Sequence, residues 1–221
     1  MRIRRVQMDW GTGKADLDLR HENNIPLQAI GIVGGNDAGK TMLMNAVLRT
    51  FRSALHDLVS FEDWKQVSCN VEYDLGSAIS TSVIKDGKIV QKLVYPEMLL
   101  EEAKLSGGIL FYSTNQRAFF ATKEASGRSF GQSLIYTVLN DLYKHKVTNS
   151  VIWVDDYNLG LSDDSALDFL QVLIRKSMEG DNQLIVSAHR EAVLQGIGSQ
   201  GIRVLRPSGT KAIEAVLKSM K

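Results

Sequence analysis

The residues with the clearest chemical pattern are a run of glycines followed by a lysine and a threonine. Four residues separate Gly34 from Gly39, and Lys40 and Thr41 follow directly. Glycines allow such a turn to curl with its backbone N–H groups pointing inward, and the start of a following helix adds partial positive charge. A lysine there can reach the β- and γ-phosphates, and a threonine hydroxyl can bind Mg²⁺. The spacing therefore predicts a site for a nucleoside triphosphate with magnesium.

The residues around this run favour a strand before it and a helix after it. Residues 28–33 form a short apolar run of the buried-strand type, and residues 42–48 are good helix formers with apolar repeats. The alternative is a glycine-rich turn that binds no ligand, but the strand and the helix favour a nucleotide site. The predicted phosphate-binding residues are Gly34, Gly35, Asn36, Asp37, Ala38, Gly39, Lys40, Thr41 and Met42.

Two carboxylates close a second apolar run. Residues 151–154 are apolar, and Asp155 and Asp156 follow them. This pattern is typical of a buried parallel strand that delivers one acid to Mg²⁺ and a second acid to the attacking water. A strand that ends in a turn-forming aspartate pair is the alternative, but the phosphate loop upstream favours the chemical role. We therefore predict Asp155 as a magnesium ligand together with Thr41, and Asp156 as the catalytic base.

Two more predicted strands end in polar side chains. His189 follows the apolar run 183–188, and the polar residues 113–117 follow the apolar run 108–112. Sheets of this kind keep their sites at the ends of strands, so these groups are expected near the phosphate loop. A histidine at a strand end is usually part of the core or its rim. Here the phosphate-loop strand and the strand before Asp155 also end in polar residues, and this favours contact of His189 with the γ-phosphate instead.

The composition limits the class of protein. With 221 residues and 44% hydrophobic content, the chain can bury one substantial core, so we expect a single domain over residues 1–221. The formal net charge of +1 gives no overall attraction for nucleic acid. Such a contact would need a local patch, for which Arg2, Arg4 and Arg5 are the candidates.

The sequence favours a cytoplasmic protein that does not enter a membrane. Its apolar stretches all fall short of the roughly 20 residues that span a bilayer, and its N-terminus opens with charged residues. The single cysteine, Cys69, excludes an intrachain disulfide and a multi-cysteine metal site, which fits a reducing cytosol.

The hydrophobic patterns predict an α/β fold with a mainly parallel core sheet flanked by helices. Residues 67–95 are predicted to form an antiparallel meander, with Asp86 and Gly87 as a hairpin turn. Residues 11–14 look like the end of a second phosphate loop but lack its first glycine and its final hydroxyl, so we interpret them as a hairpin turn. Helices are predicted at 41–58, 96–105, 131–144, 164–178 and 211–220, and further strands at 1–8, 15–19 and 202–205.

Four segments together resemble the RecF/SMC-like branch of the ABC ATPases, which includes the compact OLD-type ATPases. They are residues 1–6, the loop 34–41, the acid-bearing segment 154–162 and residues 187–189. The resemblance spans nearly the whole chain. It implies a P-loop NTPase fold of the ABC type, with ATP and Mg²⁺ as cofactors.

The resemblance also implies roles for residues outside the phosphate loop. Gln116 would contribute to catalysis and to metal binding, and residues 160–162 would face a second head. Ser129 and Gly131 would correspond, in a degenerate form, to the signature segment that contacts the nucleotide of that second head. The predicted catalytic residues are Lys40, Gln116, Asp156 and His189, and the predicted metal ligands are Thr41, Gln116 and Asp155.

Two departures from this branch bear on the expected activity. The acid pair is typically Asp-Glu, whereas Asp156 is one methylene shorter than glutamate, so hydrolysis would be slow or absent. Residues 41–129 also lack the heptad repeats of long coiled-coil arms. The expected protein is therefore a bare head.

The resulting expectation is an ATP-binding head that hydrolyses ATP slowly at sites completed by a second head. Its ATP-dependent association would control a partner protein in DNA maintenance or anti-phage defence, and any nucleic acid would be contacted through that partner. Two alternatives stay open: the nucleotide-binding subunit of a transporter, and an ATP sensor that scaffolds an effector without hydrolysis. The weak signature segment and the arginine-rich opening count against the transporter subunit.

Overall fold

The computed structural model of the chain describes residues 1–11, 13–35, 38–56, 60–94, 100–101, 104–113 and 130–205. Within these ranges the helices are α1 (Lys40–Leu55), α2 (Phe130–His145) and α3 (Asp163–Glu179). The first strands are β1 (Arg2–Asp9), β2 (Lys14–Asp18), β3 (Ala29–Val33), β4 (Ser68–Asp74), β5 (Ile79–Lys85) and β6 (Lys88–Gln91). They are followed by β7 (Leu100–Glu101), β8 (Lys104–Leu105), β9 (Ile109–Tyr112), β10 (Val151–Val154), β11 (Gln183–Ala188) and β12 (Ile202–Val204).

One sheet is parallel and carries the predicted site. Its strands lie in the order β12-β3-β11-β10-β9, and every neighbouring pair is parallel. The residues of β10 and β11 are buried throughout, as expected for strands covered on both faces. Because the strands are parallel, the segments that follow β3, β10 and β11 meet at one edge of the sheet. The predicted α/β fold with a parallel core sheet is confirmed.

The second sheet is antiparallel and lies in the order β2-β1-β4-β5-β6. The predicted meander forms its β4, β5 and β6, and the first two strands of the chain complete it. Asp86 has a φ of 50° and Gly87 a φ of 74°, so both central residues of the predicted hairpin turn are left-handed. The β1–β2 connection is also a hairpin, since the Trp10 N–H donates to the Gly13 carbonyl at 3.0 Å.

Helix α1 packs on one face of the parallel sheet, and α2 and α3 pack on the opposite face. Leu43 and Val47 of α1 share a buried cluster with Val71 of the antiparallel sheet and Trp153 of the parallel sheet. The residues of α2 and α3 form the second cluster with the opposite faces of β10 and β11. The strand ends that carry the site are therefore fixed by packing on both sides.

A buried glutamine ties the two sheets together. The Gln183 side chain accepts from the Ile3 N–H at 2.7 Å and donates to the Ile3 and Leu27 carbonyls, each at 2.9 Å. The residue is fully buried. Its amide thus satisfies backbone groups of β1 and of the segment before β3.

One predicted element is wrong in the part that the structure describes. Residues 96–105 were expected to include a helix, but Leu100 and Glu101 pair antiparallel with Leu105 and Lys104. Short apolar runs do not distinguish the helical period from a strand, and here a bridge from Ser106 to Thr148 extends the strand conformation. The predicted helix at 211–220 lies outside the described residues.

The arginines at the start of the chain are paired with acids. Arg2 contacts Asp181 at 2.7 Å, Arg4 contacts Glu72 at 2.6 Å, and Arg5 contacts Asp16 at 2.6 Å. These arginines are therefore not an unpaired basic patch of the kind that binds phosphates.

Two other sequence features can be placed in the fold. Cys69 is buried, and burial raises the pKa of its thiol to about 12. In the described ranges, no helix combines the length and the apolar character that a bilayer crossing requires.

Candidate functional site

The phosphate loop connects β3 to α1 through a left-handed glycine. Gly39 has a φ of 88°, and a β-carbon at this position would lie 2.9 Å from the ring of Trp10. Only glycine satisfies both conditions without strain. The Gly34 N–H donates to the Ala188 carbonyl of β11 at 3.2 Å, which fixes the start of the loop to the neighbouring strand.

The remaining loop residues fall around this turn. The Ala38 N–H donates to the Gly35 carbonyl at 3.2 Å. Met42 lies in the first turn of α1 and packs against the core shared by the two sheets. Asn36 and Asp37, which were predicted to bind phosphate, lie outside the described residues.

Lys40 is turned back into the loop. Its Nζ donates to the carbonyls of Gly34 at 2.8 Å and Gly35 at 3.0 Å, and the residue is only 3% exposed. The same Nζ lies 3.3 Å from Nδ1 of His189 and 3.6 Å from Oδ1 of Asp156. The lysine of the loop therefore contacts residues from two other strand ends.

Asp155 is buried at the end of β10, with each carboxylate oxygen accepting a hydrogen bond. The Thr41 hydroxyl donates to Oδ2 at 2.7 Å, and the Ser187 hydroxyl donates to Oδ1 at 2.5 Å. The Asp155 N–H donates to the Tyr112 carbonyl of β9 at 2.9 Å. A carboxylate beside a hydroxyl is an all-oxygen donor set, which fits Mg²⁺.

Asp156 follows in a left-handed backbone conformation, with a φ of 44°. Its N–H donates to the Ser187 hydroxyl at 2.8 Å, and its Oδ1 lies 3.4 Å from Nε2 of His189. The carboxylate is mostly buried, and the imidazole is about one-third exposed. Asp156, His189 and Lys40 thus form one cluster at the edge of the parallel sheet.

The residues predicted to face a second head are placed only in part. Gly131 is buried in the first turn of α2, where a β-carbon would lie 2.4 Å from the Gly160 carbonyl oxygen. The first turn of α2 and the loop after Asp156 are therefore packed against each other within one chain. Ser129 and Gln116 lie outside the described residues, so their roles stay predictions.

Two residues at the site were given no role from the sequence, although Ser187 lies in the resembling segment 187–189. Ser187 contacts both acids, and Trp10 packs its ring against Gly39. A serine inside an apolar strand and a tryptophan at a hairpin both look like packing residues. Only the pairing of β11 with β10, and the approach of the β1–β2 hairpin to the loop, bring them to the site.

Comparison with solved structures identifies the fold. The chain superposes on an SMC head domain from Thermotoga maritima with a TM-score of 0.56, at 13% identity over 92% of this chain and 94% of that chain. It superposes on an SMC head bound to the C-winged helix domain of ScpA with a TM-score of 0.59, at 10% identity over 97% of this chain and 100% of that chain. No protein-family model and no curated protein match its sequence. The chain therefore has the P-loop α/β fold of these SMC head domains.

Proposed function

We propose that the chain binds ATP with Mg²⁺ at this edge of the parallel sheet and hydrolyses it slowly. The observation that carries the proposal is the meeting of Lys40, Asp156 and His189 within 3.6 Å, although they follow three different strands. Packing alone does not require an ammonium, a carboxylate and an imidazole to converge at a strand edge. Functional sites of α/β sheets lie at such edges.

Each residue has a distinct proposed role. Lys40 donates to the β- and γ-phosphates in place of its present loop carbonyls. Thr41 and Asp155 supply oxygen ligands for Mg²⁺, which would neutralise charge that develops on the phosphates. Asp156 accepts the proton of the attacking water, and His189 donates to the γ-phosphate.

Slow turnover follows from the position of Asp156. Its carboxylate is short, and it lies between the Lys40 ammonium at 3.6 Å and the His189 ring at 3.4 Å. A short carboxylate engaged with these groups has less reach toward an attacking water. This contact also favours the second candidate function, an ATP sensor that binds the nucleotide without hydrolysing it.

We further propose that ATP brings two heads together and that the pair controls a partner protein. The proposed phosphate-binding groups lie at the edge of one sheet, so a second head would cover the γ-phosphate. An SMC head of the same fold is described as bound to a domain of ScpA, which supports a protein partner for this chain. We propose that this partner acts in DNA maintenance or anti-phage defence.

The proposed nucleotide site is tested by titration calorimetry and phosphate release with wild type and Lys40→Ala. The wild type should bind Mg-ATP and release phosphate slowly. Removing the charge-assisted contacts of Lys40 should weaken ATP binding by tenfold or more, a loss of about 1.5–3 kcal/mol. Lys176→Ala is the matched control, since Lys176 pairs with Glu179 at the far end of α3.

Unchanged ATP affinity in Lys40→Ala would reject this site. If the wild type binds ATP and releases no phosphate, the sensor function is the correct one.

A further inference from the structure

We infer that Ser187 is a positioning residue that sets both carboxylates of the acid pair at once. Its hydroxyl donates to Oδ1 of Asp155 at 2.5 Å and accepts from the N–H of Asp156 at 2.8 Å. The residue is fully buried. This inference rests on the proposed Mg-ATP site, and it identifies the residue that fixes the positions of the two carboxylates in that site.

Ser187 reaches both acids because of its strand. It lies in β11 opposite Ile32 of the phosphate-loop strand, and its neighbour Val186 lies opposite Val154 of the acid strand. The Ser187 carbonyl also accepts from the Tyr157 N–H at 3.1 Å. The backbone after β10 is thus held by the hydroxyl and the carbonyl of one residue as it crosses over β11.

The first effect of this hydroxyl is on Asp155. A hydrogen bond to Oδ1 fixes the rotation of the carboxylate, so that Oδ2 faces the Thr41 hydroxyl at 2.7 Å. Partners that orient a metal-binding carboxylate typically change metal affinity by about 10–100-fold when they are removed. Ser187 should therefore influence Mg²⁺ binding without touching the metal.

The second effect is on Asp156. A φ of 44° is unfavourable for a residue other than glycine and persists only where neighbours hold it. The hydrogen bond from the Asp156 N–H to Ser187 supplies such a restraint. It keeps the Asp156 carboxylate on the side of Lys40 and His189.

A buried serine can also be a simple packing residue, and the chain contains a control for that role. Ser177 in α3 is buried as well, and its hydroxyl has no hydrogen-bond partner among the residues that the structure describes. Ser187→Ala and Ser177→Ala thus remove the same atom from two buried sites. Only the first removal breaks contacts to the acid pair.

The test measures how Mg²⁺ strengthens the binding of a non-hydrolysable ATP analogue. Calorimetry in EDTA and at a series of Mg²⁺ concentrations gives the affinity for the analogue at each concentration. From this series we obtain the Mg²⁺ concentration at which the increase in affinity is half-maximal, without any turnover. In Ser187→Ala we expect that magnesium concentration to rise by about tenfold, while the affinity in EDTA stays within about twofold. Ser177→Ala should match the wild type, and Ser187→Thr, which keeps the hydroxyl, should restore the magnesium dependence.

The outcomes separate this inference from the proposed function. If the wild type binds the analogue and Ser187→Ala has the magnesium dependence of Ser177→Ala, the inference is wrong while the ATP site stands. A wild-type chain that binds no nucleotide overturns the proposed function and this inference with it. Thermal unfolding checks the fold of each variant. Should Ser187→Ala not fold, Ser187→Cys replaces it, because a thiol keeps the volume but donates weakly, and the same rise is expected.

Discussion

Lys40 makes contacts that a triphosphate would have to replace. Its Nζ donates to two loop carbonyls and lies 3.6 Å from the Asp156 carboxylate. Phosphate oxygens are stronger acceptors for an ammonium than backbone carbonyls, so nucleotide binding would draw Lys40 away from the acid. Asp156 would then keep His189 as its neighbour and could accept the proton of a water molecule. In this view the nucleotide itself assembles the catalytic geometry.

The two acids should respond differently to the same substitution. Asp156→Asn removes the proposed base and should lower the rate of phosphate release by about 10²–10⁴-fold, while Mg-ATP still binds. Asp155→Asn should instead weaken the magnesium dependence of ATP binding, because it removes a charged ligand of the metal. Calorimetry and phosphate release, measured on both variants, test the division of roles. Asp168→Asn, at an exposed position of α3, is the control.

Equal turnover in Asp156→Asn and the wild type would show that another group acts as the base. Identical magnesium dependence in all three variants would remove the metal role from Asp155.

At the scale of elements, the sequence predicts best what depends on neighbouring residues. The phosphate loop, the acid-bearing strand and the turn at Asp86-Gly87 all follow from short local patterns. The pairing of β1 with β4 joins residues 59 to 72 positions apart, and no local pattern determines it. The same reason explains why residues 100–105 were expected to be helical: their strand conformation depends on pairing rather than on propensity.

The residues of the candidate site also differ in whether neighbouring residues in the sequence could predict them. Lys40, Thr41 and the acid pair could be predicted because each belongs to a motif of consecutive residues. Ser187 could not be predicted, because its role depends on the register between β10 and β11. The contact of His189 with Asp156 likewise requires two strand ends to meet. The hydrophobic pattern predicts the two strands but does not give the distance between the side chains that follow them.

Gln183 provides a test of how the two sheets are joined. Its side-chain amide makes hydrogen bonds to the Ile3 N–H and to the Ile3 and Leu27 carbonyls in a fully buried position. Gln183→Ala would leave these backbone groups unsatisfied, so the free energy of unfolding should fall by about 2–4 kcal/mol. Urea unfolding measures this change. Gln171→Ala, at an exposed position on α3, should change stability by less than about 0.5 kcal/mol.

A loss in Gln183→Ala no larger than that in Gln171→Ala would mean that the inter-sheet hydrogen bonds add little. The apolar core around α1 would then account for more of what joins the two sheets.

At the scale of the whole molecule, the question is what covers the exposed edge of the site. The loop after Asp156 presents Leu159 at 39% exposure, and Gly160 packs against the start of α2. An exposed leucine three residues after the proposed base is suited to contact a second copy of the head. ATP and ADP differ only in the γ-phosphate, so an interface that includes it should distinguish them.

We predict that Asp156→Asn, in which hydrolysis is slowed, shifts from monomer to dimer with Mg-ATP and returns to monomer with ADP. Adding Leu159→Arg should block the shift while ATP affinity stays within about threefold, because a charge at the centre of an apolar contact is costly to bury. Ser129→Arg tests the signature segment in the same way. Met178→Arg is the control, since Met178 is 54% exposed and lies at the opposite end of α3 from the loop.

Light scattering on a sizing column, run with each nucleotide, gives the mass in each state. A dimer that forms with ATP, disappears with ADP and is lost only in the Leu159→Arg and Ser129→Arg variants would support nucleotide-gated association through the loop and the signature segment. One fixed mass in every condition would contradict it. Because the γ-phosphate must still be shielded from solvent, a constant monomer would indicate that a different protein provides the cover, and a constant dimer would indicate an interface that does not include the nucleotide.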